Sequence, residues 1–99
     1  MFARLATYDV PEGREGAARA AFREAVARIR ECRGLVDAYV LLATEGGRTV
    51  TITLWEDRAA MAESRVVASR LRSEAAASLG GDVVSVDEFE VVADGDGTT

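Results

Sequence analysis

The chain has 99 residues, 48% of them hydrophobic, with 17 acids against 12 arginines, no lysine, no histidine and one cysteine. This bounds it to one small globular domain whose net charge of −5 repels phosphate backbones, and no apolar run reaches the roughly 18–20 residues of a membrane span. With no basic, apolar leader and a lone Cys32 that cannot close an internal disulfide, the chain is expected to be mature and cytoplasmic.

Phe2–Tyr8 is a short apolar run stopped by Pro11 and Gly13, which predicts a first strand. From Arg14 the period lengthens. Ala18, Phe22, Ala25, Val26, Ile29 and Cys32 recur at spacings of three and four, predicting an amphipathic helix of about five turns. Glu15–Arg19 and Glu24–Arg28 stand at i,i+4, so the cluster of Arg14, Arg19, Arg23, Arg28 and Arg30 reads as a solvated, ion-paired face. Cys32 falls on the apolar side, as a small buried group. Gly34 follows where a helix would stop.

Leu35–Ala43 is the second predicted strand, and Glu45-Gly46-Gly47 has the composition of a tight turn. Arg48–Trp55 alternates threonine with valine, isoleucine and leucine, so it has two chemically distinct faces. Asp57 is suited to cap a second helix, because its carboxylate can accept from a free backbone N–H at the positive end of the dipole. Met61, Ala68, Leu71, Ala75 and Leu79 line one side of that helix, with Ser64 interrupting and the β-branched Val66-Val67 favouring a local break. Gly80-Gly81 ends it, Val83–Val92 is the last strand, and residues 93–99 form an acidic tail beyond a domain of residues 1–92.

The order β-α-β-β-α-β is that of a ferredoxin-like α+β domain, a four-stranded antiparallel sheet with both helices on one face. Ala38–Ala43 has no polar alternation and presents apolar groups to both sides, which calls for two-sided burial. The helices cover one face. A second copy of the chain, packed sheet to sheet about a two-fold axis, is expected to cover the other.

The segment Leu54-Trp55-Glu56-Asp57, followed by Ala60-Met61 and Ser64, resembles the strand–helix junction of antibiotic biosynthesis monooxygenase-like proteins. Val84-Ser85-Val86-Asp87-Glu88-Phe89-Glu90-Val91 is similar to the closing strand of short members, so the likeness spans residues 2–92. The resemblance implies a dimeric α/β barrel with a ligand cavity between sheet and helices, and an activity that needs no cofactor. The haem-degrading branch of that superfamily uses an asparagine, a tryptophan and a histidine at places filled here by Ala6, Ser64 and Glu74, so haem degradation is not expected.

The candidate pocket residues are Arg4, Tyr8, Tyr39, Trp55, Met61 and Ser64. Arg4, Ala6 and Tyr8 share one face of the first strand, the face the resemblance turns toward the cavity. Arg4 could hold a phenolate or carboxylate, or could pair across strands with Asp87 or Glu88. Tyr8 and Tyr39 could donate a hydrogen bond, or serve as apolar rings with the hydroxyl at a rim. Trp55 suits packing at the sheet corner or the wall of a pocket. Ser64 has no histidine to activate it and no G-x-S-x-G turn, so it is expected to bond the carbonyl four residues back, and hydrolase chemistry is not supported. Asp37 and Asp87 lack a supporting ligand cluster, which argues against a metal site. Two functions remain, a non-catalytic homodimer binding a small hydrophobic or aromatic ligand, and a cofactor-independent monooxygenase of aromatic polyketide- or quinone-like substrates. Convergence of Arg4, Tyr8, Tyr39 or Ser64 within hydrogen-bond reach in a real pocket would favour catalysis, whereas filling of the space by Phe22, Met61 and Leu71 would favour binding.

Overall fold

The computed structural model describes residues 1–93 and Gly95. The elements are β1 (Phe2–Asp9), α1 (Glu15–Ile29), β2 (Leu35–Leu42), β3 (Arg48–Trp55), α2 (Arg58–Glu63), α3 (Arg65–Ser78) and β4 (Asp82–Glu90). The strands form one antiparallel sheet in the order β2-β3-β1-β4, the ferredoxin-like arrangement, with the helices on one face. Most of the acidic tail expected at residues 93–99 lies outside the described residues. No helix among the described residues is long and apolar enough to cross a membrane.

Register assigns the two sheet faces. Arg4, Ala6 and Tyr8 of β1 stand opposite Thr53, Thr51 and Thr49 of β3, and these face the helices. Ala3 and Leu5 stand opposite Leu54 and Ile52, and Tyr39 and Leu41 opposite Ile52 and Val50, so these point outward. The apolar run Ala38–Leu42 of β2 therefore alternates in burial although not in chemistry. Ala38, Val40 and Leu42 face α1, while Tyr39 and Leu41 are each 47% exposed. Phe89 on β4 extends the outer patch at 52% exposure.

Two expectations for the first helix need correction. It ends at Ile29 after four turns, and Cys32 lies in the following turn, where its N–H donates to the Ile29 carbonyl at 2.9 Å. Neither i,i+4 pair forms. Arg28 reaches across to Glu74 of α3 at 3.2 Å instead, an exposed interhelical contact of small energetic weight. Gly34 takes φ +83° and a Cβ there would collide with the Ala60 methyl, while its carbonyl accepts from Glu56 N at 2.8 Å. The start of β2 is thus seated directly on the β3–α2 junction, where only glycine fits.

Asp57 caps α2 as its sequence position implies, its carboxylate accepting from Ala60 N at 2.8 Å. The helix break comes at Ser64, two residues before the valine pair. The Ser64 hydroxyl donates to the Met61 carbonyl at 2.7 Å, three residues back, and that carbonyl also accepts from Arg4 Nη2 at 2.7 Å. Two side-chain donors on one carbonyl draw it out of the helical ladder, so a tertiary contact outweighs the local effect of Val66 and Val67.

The core is divided. One cluster holds Ala6, Tyr8, Ala18, Phe22, Ala75, Ala76 and Leu79; the other holds Ile29, Ala38, Trp55, Ala60, Met61, Ala68 and Leu71. Where α1 faces α3 the packing residues include Ala25, Ala68 and Ala75, whose short side chains leave space between the clusters.

Candidate functional site

That space is a cavity of about 50 Å³ between the sheet and the α1–α3 pair. Its walls draw on both clusters, with Phe22, Ile29, Leu71 and Ala75 giving the apolar surface. Five polar side chains also line it: Arg4 and Tyr8 from β1, Thr51 and Thr53 from β3, and Arg72 from α3. Strand alternation places the first four on one sheet face.

Arg4 is 3% exposed and held by bonds to β4, to α2 and to the α2–α3 junction. Its Nε and Nη2 donate to Glu88 Oε2 at 3.2 and 2.9 Å, Nη1 donates to Ser64 Oγ at 3.0 Å, and Nη2 also donates to the Met61 carbonyl. The guanidinium carbon lies 5.7 Å from the Trp55 ring centroid, a cation–π contact in a desolvated place. Trp55 itself is fully buried, its indole N–H donating to Thr53 Oγ1 at 2.9 Å. Glu88 receives a second arginine, Arg65, at 2.6 Å. The Arg65 bond and then the Arg4 bond outweigh partial burial and hold the Glu88 carboxyl at about 2. Arg4, Trp55, Met61 and Ser64 thus meet in a closed network in which the arginine's charge is already neutralised.

Tyr8 sits at the other end. Its ring meets Phe22 edge-on at 4.8 Å between centroids, and its hydroxyl shares a 3.1 Å hydrogen bond with Thr51 Oγ1. Burial raises its pKa, against the Thr51 bond and the charge of Arg72, which both lower it. Tyr39 does not join the site. It lies on the outer face, its hydroxyl donating to Asp37 Oδ2 at 2.7 Å, because β2 pairs with β3 in a register that sets Tyr39 beside Ile52. Of the residues expected to fill the space, Phe22 and Leu71 line the cavity, whereas Met61 packs in the second cluster.

Sequence reasoning passed over Arg72. This residue stands four after Ala68 and three before Ala75, within the buried stripe of α3, and is half-buried at the cavity wall. It makes no ion pair or side-chain hydrogen bond among the described residues. Burial lowers its pKa, the neighbouring Tyr8 opposing that effect. The signal for it was present in the chain, a single charge interrupting an apolar helical stripe. Among the described residues no cluster of three or more acids, cysteines or histidines could hold a metal ion.

No curated protein matches the chain in sequence. Solved structures match it in fold over nearly its whole length. A candidate antibiotic biosynthesis monooxygenase from Deinococcus radiodurans superposes with a TM-score of 0.78 at 14% identity, covering 95% of each chain. SnoaB, a cofactor-independent oxygenase from Streptomyces nogalater, gives 0.77 at 15% identity over 96% of each. Rv0793 from Mycobacterium tuberculosis gives 0.73 at 19% identity, covering 95% of this chain and 97% of its own. The sequence model of the antibiotic biosynthesis monooxygenase family matches residues 1–66, which span β1 through the α2–α3 break and so include the Arg4–Trp55–Ser64 network. The chain belongs to the antibiotic biosynthesis monooxygenase family.

Proposed function

We propose that the protein is a cytoplasmic homodimer that holds a small hydrophobic or aromatic ligand between its sheet and its helices. The observation that carries this reading is the cavity separating the two halves of the core. At about 50 Å³ it is far below the roughly 300–1,000 Å³ of pockets that enclose drug-sized ligands, so a multi-ring substrate has no room in the closed form. A small ligand needs only a modest parting of α1 and α3 along their alanines. Binding is favoured over catalysis because Arg4 and Ser64 are engaged with each other and with Glu88 and Met61. Ala25→Val fills the space with two methyl groups and is expected to abolish saturable binding of benzamide, followed by NMR titration. Undiminished binding in that variant overturns the assignment of the site.

The homodimer rests on the outer sheet face. Leu5, Val50, Ile52, Leu54, Tyr39, Leu41 and Phe89 share that face, with Asp37 and Asp87 on its two edge strands. Each such side chain withdrawn from water contributes about 1.5–3 kcal/mol, enough in sum to exceed the entropy lost on association. Sedimentation at micromolar concentration is expected to give a two-copy species, and Ile52→Asp a single-copy one. A wild-type chain that sediments as one copy removes this part of the reading.

A second reading is cofactor-independent oxygenation of an aromatic polyketide- or quinone-like substrate, favoured by Tyr8 and Arg72 lining one cavity. In that chemistry the substrate supplies its own electrons. A dihydroxyaromatic ring becomes its hydroxyquinone, one oxygen atom of O₂ entering the ring and the other leaving as water. Oxygen uptake with a panel of dihydroxyaromatic compounds, above the level of Tyr8→Phe, is the result expected of an oxygenase. Equal traces from the two proteins leave the binding reading alone.

A further inference from the structure

Four of the five polar side chains lining the cavity already have protein partners. Arg4 is bonded to Glu88, Ser64 and Met61, Tyr8 to Thr51, and Thr53 accepts from Trp55. Arg72 is the fifth. It carries a full charge, is partly withdrawn from water, and has no acceptor among the described residues. A guanidinium so placed gives up part of its hydration without receiving an anion in return, while its nitrogens stay reachable from solvent and so from an entering ligand. The nearby network shows the contrast, since there each buried charge meets an opposite one.

We propose that Arg72 is the anion-recognising group of the cavity, binding the carboxylate or phenolate oxygen of a small monoanionic ligand whose apolar body points inward against Phe22 and Leu71. The inference rests on the ligand-binding reading of the same cavity and names the class of ligand. The planar guanidinium offers paired N–H donors matched to a carboxylate. Tyr8 lies on the same cavity wall, and its hydroxyl is free to rotate between Thr51 and a second acceptor oxygen. Because Arg72 has no protein bond to break, its side chain can swing outward as a ring enters. That swing adds to the parting of α1 and α3 that a space of about 50 Å³ requires. Arg4 cannot take this role, since four of its five N–H groups are directed to protein acceptors.

The test compares benzoate with its neutral counterpart benzamide on the intact protein, by NMR titration and calorimetry. Benzoate is expected to bind about tenfold more tightly than benzamide, the scale of one charge-assisted, partly buried contact. Arg72→Gln is expected to bring that ratio close to one, the loss falling mainly on benzoate, and Arg72→Lys to keep part of it. Ala25→Val should abolish binding of both probes. If the two probes bind wild type equally, or if Arg72→Gln leaves the ratio intact, the anion assignment fails while ligand binding stands. Benzoate binding that survives Ala25→Val places the anion elsewhere and overturns the inference too. If neither probe saturates, both the inference and the ligand-binding reading fall.

Discussion

Arg4 and Arg72 line one cavity and differ in nearly everything else. Arg4 is sealed at one end, where a carboxylate, a hydroxyl, a carbonyl and an indole face satisfy it. Arg72 stands half-buried at the wall without a protein acceptor. A buried arginine of the first kind is part of the scaffold, because removing it strands several partners at once. One of the second kind costs the fold little to lose and is available to a ligand. Burial alone does not distinguish them, and the more buried of the two is the less available for chemistry.

The comparison can be broken by stability measurements. Arg4→Ala leaves the Met61 carbonyl with Ser64 as its one side-chain donor, the Ser64 oxygen without a donor and Glu88 with only the exposed Arg65, so a loss of about 3–5 kcal/mol in urea unfolding is expected. A loss below about 1 kcal/mol would show that the network is not structural. Glu88→Gln should cost on the order of 2 kcal/mol at neutral pH, once the solvent exposure of Arg65 is discounted. The folded carboxyl titrates near 2 and the unfolded one near 4.5. Its contribution is therefore complete above pH 4.5 and disappears as pH falls from there through 2. Wild type should lose its advantage over Glu88→Gln across that acid window in parallel unfolding curves, and a constant difference would exclude Glu88 as the cause.

Smaller effects sharpen the contrast. Ser64→Ala removes one acceptor from Arg4 and one donor to the Met61 carbonyl, for an expected loss of about 1 kcal/mol by thermal or urea denaturation. Arg72→Gln should change stability by no more than about 0.5 kcal/mol. In a Tyr39→Phe background the same substitution should move the remaining Tyr8 titration upward, because a charge that favours the phenolate is removed. An unchanged ultraviolet titration would mean that Arg72 does not act on the Tyr8 end of the cavity.

Much of the fold was legible because strand and helix periods differ and the turn residues separate them. The four strands, the Asp57 cap and the helix-facing side of β1 all follow from local pattern, and the Arg4–Glu88 pair was one of the two cross-strand partners considered. The position of the helix break was not legible. Val66 and Val67 are the local candidates, whereas the cause is an arginine 60 residues from Ser64. Tyr39 was ambiguous because an apolar run without alternation does not say which face is which, and only pairing with β3 decides it. Arg72 was readable in principle, as a charge inside the stripe of Ala68, Leu71 and Ala75, but a pattern that counts apolar residues passes over the exception.

The joint at Ser64 has a consequence for the order in which the chain matures. Arg4 connects to positions 57, 60 and 84 residues further along, so the bonds that bend the α2–α3 segment need both ends of the polypeptide in place. Contacts of such long range form late, after nearby helical turns have closed. Residues 58–78 are expected to pass through a straighter helix during refolding and to bend only when the first and last strands meet. A φ-value near zero at Ser64 in chevron kinetics would bear this out, and one near unity would refute it.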